Sequence, residues 1–306
     1  MENVYISAAV MFVCVVIASV MFDIQCRKVW PDKKVSIGMV YGSLALVLGV
    51  LGGRTYYYFI DVTNIEADFF VPNMQLGLFG VLGGCIIAAA IVCLIFKINF
   101  MTLFDALAPS LLLIVMGQRI NDFFLGTNFG RIVENDMLKH FPISVYVKMG
   151  NSGFWVIAVF TLEFILCLAL FVLVLIKRKE IGRGINALLV MSIYGFGRVV
   201  FESMRQDSLY IGFVKIAEVV SIVLGLAAFI TIIVICARKK FINVPTVIAI
   251  SVVTIGLVTA AFLCEFYMGS EVQVLYTSII AGAMAILSLT SLMLYFIILS
   301  RDVKKI

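Results

Sequence analysis

The feature that most constrains this chain is a series of nine long apolar runs, at about residues 5–25, 36–52, 76–96, 103–124, 154–176, 186–204, 212–236, 244–264 and 273–299. Each approaches the roughly 20 apolar residues that a helix needs to cross the hydrocarbon core of a bilayer. The runs are continuous rather than alternating, which excludes a transmembrane barrel. The helix is then the one remaining way to satisfy every backbone N–H and C=O inside lipid. Composition agrees: 63% of the 306 residues are hydrophobic and 13% are charged, against roughly 45–50% and 25% in a soluble domain. The expected fold is an all-α polytopic membrane protein of about nine transmembrane helices. No Lys or Arg precedes the first run and no small-residue cleavage pattern follows it, so it reads as a retained anchor, not a signal peptide.

A net charge of +5 could point to nucleic acid, but the basic residues are distributed as topology signals. Fifteen of the 23 Lys and Arg fall in alternate loops, within 27–34, at 97, and within 177–183, 238–240 and 301–305. The positive-inside rule then puts the N-terminus outside and the C-terminus in the cytoplasm, and nucleic-acid binding is set aside. Seven cysteines lie within or beside apolar runs and form no CxxC pair. They read as free thiols that behave as small hydrophobes, with no disulfide framework and no metal site. The longest outer segment, about 125–153, is too short for a separate domain. With Phe141, Pro142 and Tyr146 it is expected to form a small head at the interface.

Charges inside apolar runs are expensive and therefore informative. The sixth run ends in Tyr194-Gly-Phe-Gly-Arg198-Val-Val-Phe-Glu202-Ser-Met-Arg205-Gln-Asp207. Arg198, Glu202 and Arg205 are spaced four and three apart, so they share one helix face with Tyr194. Two guanidiniums around one carboxylate leave that face net positive, and the planar fork of Arg pairs bidentately with phosphate oxygens. The alternative is an internal salt-bridged stripe. A second cluster occupies the fourth run, from Asp105 and Pro109 to Gln118-Arg119-Ile-Asn121-Asp122, followed by Gly126 and Gly130. It could equally be a plain interfacial helix end with a snorkelling Arg. Two Arg-bearing helix ends at the outer leaflet would make a pocket for an anionic headgroup. Glu163 and Glu218, in the fifth and seventh runs, read as partners for an Arg or another helix. His140, the sole histidine, reads as a solvated loop residue.

These residues resemble the prolipoprotein diacylglyceryl transferase family, bacterial enzymes that move diacylglyceryl from phosphatidylglycerol to a lipobox cysteine. Asp105-x-x-Ala-Pro109 followed by Arg119 keeps the family's spacing. Arg119-Ile-x-x-Phe123-x-x-Gly126-x-x-x-Gly130 matches its Gly-Arg-Ile-Gly-Asn-Phe signature in part, and Pro142-x-x-x-Tyr146 is similar to its Pro-x-Gln-Leu-Tyr. Tyr194-Gly-x-Gly-Arg198-x-x-x-Glu202-x-x-Arg205-x-Asp207 carries most of the resemblance, with Gly53-Arg54 and Gly83-Gly84 as earlier pieces. The signature Asn is Asp122 here, the following Glu is Thr127, the Gly before the Arg is Gln118, and the His or Tyr before the Gly pair falls on Leu82. The likeness covers about residues 1–240. It implies a seven-helix core there, and the two runs within 241–306 read as an addition.

What the resemblance implies is a plasma-membrane enzyme whose nucleophile is the substrate's own thiol, so it needs no cofactor and no nucleophile of its own. Its partners would be phosphatidylglycerol and a prolipoprotein signal peptide. Arg119 and Arg198 would hold the phosphate, Glu202 would orient the arginines, and Asp122 would be a base if burial raises its pKa. Arg54, Tyr56, Asp105, Gly126, Gly130, Tyr194, Arg205 and Asp207 would make up the phospholipid site. Two other classes fit some of the same residues. One is a catalytically silent relative that binds anionic lipid or a lipoprotein partner. The other is a small ion-coupled transporter using Asp105, Glu163, Glu202 and Glu218 as a relay.

Overall fold

The computed structural model describes residues 2–33, 35–60, 78–149, 152–177, 184–205, 210–211, 214–267 and 273–303. These form the helices α1 (Glu2–Val29), α2 (Ile37–Ile60), α3 (Leu78–Phe96), α4 (Phe100–Leu125), α5 (Val159–Ile176), α6 (Ile185–Met204), α7 (Ile216–Arg238), α8 (Val244–Phe266) and α9 (Gln273–Val303). Among the described residues, eight helices are long and apolar enough to cross a membrane, and a shorter apolar helix covers Gly80–Phe96. The protein is therefore a helical, polytopic membrane protein.

Two antiparallel hairpins correct the expectation of a purely helical chain. They are β1 (Ser144–Met149) with β2 (Ser152–Ile157), and β3 (Tyr210–Ile211) with β4 (Val214–Lys215). The run expected to start at 154 instead starts in strand β2, with helix from Val159. In the run expected from 212, residues 212–213 lie outside the described residues, Val214–Lys215 is strand and helix begins at Ile216. Apolar residues in a short run suit a half-buried strand as well as a helix, and here cross-strand pairing decides. Tyr146 pairs with Trp155, their rings 5.8 Å apart edge to face. The segment of residues 130–133 runs beside β2, through Gly130 N–H to Ile157 O at 2.9 Å, Val133 N–H to Trp155 O at 2.7 Å and an isolated bridge from Ile132 to Val156.

The chain divides into two compact units. One comprises Val15–Leu111 and Lys179–Gly184, and the other Met1–Cys14, Leu112–Arg178 and Ile185–Ile306. In the first unit α2 and α3 pack through glycines. A Cβ at Gly80 would strike the carbonyl oxygen of Gly52, and one at Gly84 that of Leu48. Small residues at this spacing let membrane helices approach backbone to backbone. Ser36 caps α2: its Oγ accepts from Met39 N–H at 3.2 Å and donates to Asp23.

In the second unit α6 is the central helix. It meets α7 where a Cβ on Gly195 would lie 2.8 Å from Gly225 Cα, beside the edge-to-face pair Phe196–Phe229. It meets α9 through buried hydrogen bonds, Ser192 to Ser291 at 2.7 Å and Tyr295 Oη to Asn186 Oδ1 at 2.5 Å. Inside a bilayer such side-chain bonds fix which helix faces touch. Only Thr254 and Ala261 of α8 are buried, as suits a helix facing lipid.

Candidate active site

Three helices bring the charged residues of the second unit together: the end of α4, α5 and α6. On α4, Arg119 and Asp122 are one turn apart, and Arg119 Nη1 donates to Asp122 Oδ2 at 2.6 Å. The helix then stops at Gly126, whose φ of +66° is a left-handed conformation that glycine adopts without a Cβ penalty. Thr127 N–H caps the Asp122 carbonyl at 3.0 Å. The reversed chain then returns two side chains to the same carboxylate, Thr127 Oγ1 and Asn128 Nδ2, each at 3.2 Å. Gly130 follows and forms a β-bridge with Arg205. A Cβ there would lie 2.8 Å from Ile157 Cβ and 3.2 Å from Met204 O. Both glycines of the motif thus shape backbone around the charges.

On α5, Glu163 is the hub. Its side chain is 1% exposed and lies 2.7 Å from Arg198 Nη1 and 3.5 Å from Arg119 Nη1. Tyr194 Oη donates to the same carboxylate at 2.7 Å. On α6, Glu202 lies 4.0 Å from Arg198 and 3.2 Å from Arg205. The result is one continuous chain, Asp122–Arg119–Glu163–Arg198–Glu202–Arg205, alternating in sign. The net positive face expected from α6 alone becomes three cations against three anions, because α4 and α5 supply Asp122 and Glu163. Buried charges survive in a low-dielectric setting only when paired and hydrogen-bonded in this way.

Within the cluster one strong donor has no acceptor: Arg119 Nε is buried and unbonded. A buried N–H without a partner is costly.

Sequence reasoning placed Arg119, Asp122, Tyr194, Arg198, Glu202 and Arg205 in the site, and the structure brings all six into the one network. Glu163 and Glu218 were read as partners only. Glu163 does pair with arginines, and it lies closer to Arg198 (2.7 Å) than Glu202 does (4.0 Å). Sequence reasoning did not single out Lys215, which is 3% exposed and donates to the Glu202 carbonyl at 3.0 Å. It also missed Arg131, whose Nη2 donates to the Ser203 carbonyl at 2.8 Å. Their one signal was a position on the side where topology does not call for basic residues. Arg54 and Tyr56, on α2, are half-buried, and Asp105, on α4, is fully buried. These three belong to the other unit. Asp207 lies outside the described residues. His140 sits at the surface with Nδ1 3.3 Å from Phe141 O.

Fold and site together define a class, polytopic helical membrane proteins that bury an arginine–carboxylate chain, here with one guanidinium N–H left without an acceptor. Within that class, a family model described as prolipoprotein diacylglyceryl transferase matches residues 3–234, and this chain belongs to that family. Among curated relatives, a phosphatidylglycerol–prolipoprotein diacylglyceryl transferase of Clostridium kluyveri is 34% identical over 203 residues, covering 61% of this chain and 76% of the relative. Relatives of the same name from Clostridium novyi and Listeria monocytogenes serotype 4b are similar too. The first is 30% identical over 195 residues (62% of this chain, 76% of the relative) and the second 28% over 222 residues (69% and 78%).

Proposed function

We propose that this protein is a phosphatidylglycerol–prolipoprotein diacylglyceryl transferase of the bacterial plasma membrane. The observation that carries the reading is the convergence of Arg119 and Arg198 on Glu163, with Arg119 Nε buried and without a hydrogen-bond partner, in a chain of that family. Arg119 and Arg198 bind the lipid phosphate. The cysteine sulfur of the prolipoprotein bonds to the terminal glyceryl carbon, and the carbon–oxygen bond to phosphate breaks. Glycerol phosphate leaves with the electron pair. Guanidiniums fixed before the reaction stabilise the charge that grows on the leaving phosphate. Asp122 takes donors on both oxygens, Arg119 among them. That arrangement keeps Asp122 occupied as an acceptor, and the proton of the thiol, whose reference pKa is about 8.5, passes to the departing glycerol phosphate. Arg205 extends the phosphate site. Arg54, Tyr56 and Asp105 remain lipid-contact residues by resemblance, each tested by alanine substitution.

The same proposal carries the topology, nine spans with the N-terminus outside, and the division into a core of residues 1–240 and an addition of 241–306. The end of the family match at 234 supports that division. The deciding experiment gives the purified protein labelled phosphatidylglycerol and a lipobox peptide, and follows thiol lipidation and glycerol phosphate release. Both should appear, and Arg119→Ala or Arg198→Ala should abolish them. Unchanged rates in those variants would sink the site assignment. The substituted signature positions Gln118, Asp122 and Leu82 favour a silent relative as the second reading. It predicts phosphatidylglycerol binding with no glycerol phosphate released. A relay transporter is disfavoured because Glu163 and Glu202 are each held by arginines.

A further inference from the structure

The last two helices lie beyond the family match, yet two of their side chains reach the two cations that bond the end of α6, the end that carries the charged cluster. An α-helix leaves its last carbonyls without intrahelical partners. At the end of α6, Lys215 Nζ donates to Glu202 O at 3.0 Å and Arg131 Nη2 to Ser203 O at 2.8 Å. Cations are favoured at that pole of the helix dipole. Each bridging cation is held from behind by the addition. On α8, Glu265 Oε1 lies 3.1 Å from Lys215 Nζ. On α9, Gln273, with its amide oriented oxygen-inward, accepts from Arg131 Nη2 at 2.9 Å and Nε at 3.0 Å. The other end of α6 is pinned to α9 as well, through Asn186–Tyr295 and Ser192–Ser291, so α9 runs antiparallel along its whole length.

We propose that residues 241–306 form a positioning element for the transferase site: Glu265 and Gln273 fix the C-terminal end of α6, and with it Arg198, Glu202 and Arg205, through Lys215 and Arg131. The proposal rests on the transferase reading for its effect on rate, but not for its effect on structure. Glu265 and Gln273 touch no residue of the arginine–carboxylate chain directly. They act through two cations that cap carbonyls, and a shift of about 1 Å in a site can cost on the order of a hundredfold in rate. Glu218 lines a cleft with Glu265, alongside Val219, Ile222, Ala261 and Phe262. Loss of Glu265 therefore leaves Lys215 a different anion to turn to, away from its present geometry.

The test uses the full-length purified protein with Glu265→Leu, Gln273→Leu and the two combined, beside the acceptor-keeping variants Glu265→Gln and Gln273→Glu. Because one unsatisfied Lys could unfold the chain, Lys215→Met/Glu265→Leu is made too, replacing the ion pair by apolar residues. Transfer from phosphatidylglycerol to a lipobox peptide is expected to fall about tenfold in kcat for each Leu variant. The KM for lipid should stay within about threefold, and Glu265→Gln and Gln273→Glu should restore most of the rate. Lys215→Met/Glu265→Leu should keep the wild-type melting temperature and still lose kcat. Independently of activity, amide exchange at residues 203–205 should speed up in the Leu variants. Leu variants with unchanged kcat and unchanged exchange would overturn the proposal. So would a loss of rate that merely follows melting temperature and that the acceptor-keeping variants fail to rescue. If the wild type transfers nothing, the transferase reading fails and the exchange measurement alone decides the positioning role.

Discussion

Glu163→Gln is the perturbation that most directly tests the architecture of the cluster. The substitution keeps volume and keeps an acceptor for Tyr194, but removes the charge between two arginines. At the 2.7 Å separation from Arg198 and an effective dielectric of about 20, the gross attraction is roughly 6 kcal/mol. Desolvation consumes part of it, and breaking one partner out of a buried pair costs about 3–5 kcal/mol net. Total stabilities are about 5–15 kcal/mol, so this is a large fraction. It should lower the melting temperature in detergent by on the order of 10 °C. The decisive form is a cycle with Arg198→Gln and the double variant. If Glu163 exists to hold Arg198, the double variant is more stable than the sum of the singles predicts, by about 2 kcal/mol, because the second change removes the charge that the first left unpaired. Independent sites add to within about 0.5 kcal/mol. Additivity at that level would refute the claim that Glu163 is the hub, whatever the rates do.

Gly126→Ala forces a Cβ onto a φ of +66°. It should cost about 1 kcal/mol in thermal unfolding, with a severalfold loss of transfer as Thr127 and Asn128 move off Asp122. Gly130→Ala meets Ile157 Cβ at 2.8 Å and should cost about 1–3 kcal/mol, read in the same melt. Asp122→Asn returns the residue usual for the family and removes the charge that competes for Arg119. Its KM for phosphatidylglycerol should fall without a loss of kcat, whereas a tenfold drop in kcat would make Asp122 a working group. Arg119→Lys keeps the charge but removes the fork and the Nε–H. Lipid transfer should fall nearly as far as with Arg119→Ala, and a near-normal rate would show that charge alone suffices.

The positions of the helices were legible because lipid makes hydrophobic length nearly sufficient to place them. Where the reading slipped, at 154, the residues were apolar but short of a helix. Phe154-Trp155-Val156-Ile157 serves a strand that Tyr146 and Val147 pair with, and periodicity cannot separate the two over so few residues. The α6 stripe was legible for a similar reason: spacings of three and four place Arg198, Glu202 and Arg205 on one face whatever surrounds them. What stayed hidden was tertiary. Nothing in the sequence of α5 says that Glu163 meets Arg119 and Arg198, 44 and 35 residues along the chain. Nor does anything near Glu265 say that it reaches Lys215. Ion pairs across helices depend on rotation about each axis, and a single sequence fixes that only where the apolar face is narrow. In α5, apolar nearly throughout, it is not.

On the proposed reading, the charge balance of the cluster among the described residues governs how it would bind an anion. A phosphate approaching three unpaired arginines would be attracted strongly, but such a site would be too costly to keep buried when empty. With carboxylates interleaved, the arginines are affordable without lipid and already aimed. The incoming phosphate then gains only the difference between its own bonds and those it displaces or complements. Ground-state binding is therefore modest, and the interaction strengthens as the ester bond breaks and charge accumulates on the leaving phosphate, which is the condition for raising kcat and not merely lowering KM. Arg119 is the residue where this difference is greatest. Its Nη1 is shared between Asp122 and Glu163, while its Nε has no acceptor to give up. Removal of Asp122's charge and removal of Glu163's charge should therefore act in opposite senses on lipid transfer. The first frees Arg119 while leaving it held by Glu163, and the second releases Arg119 and Arg198 from their common anchor.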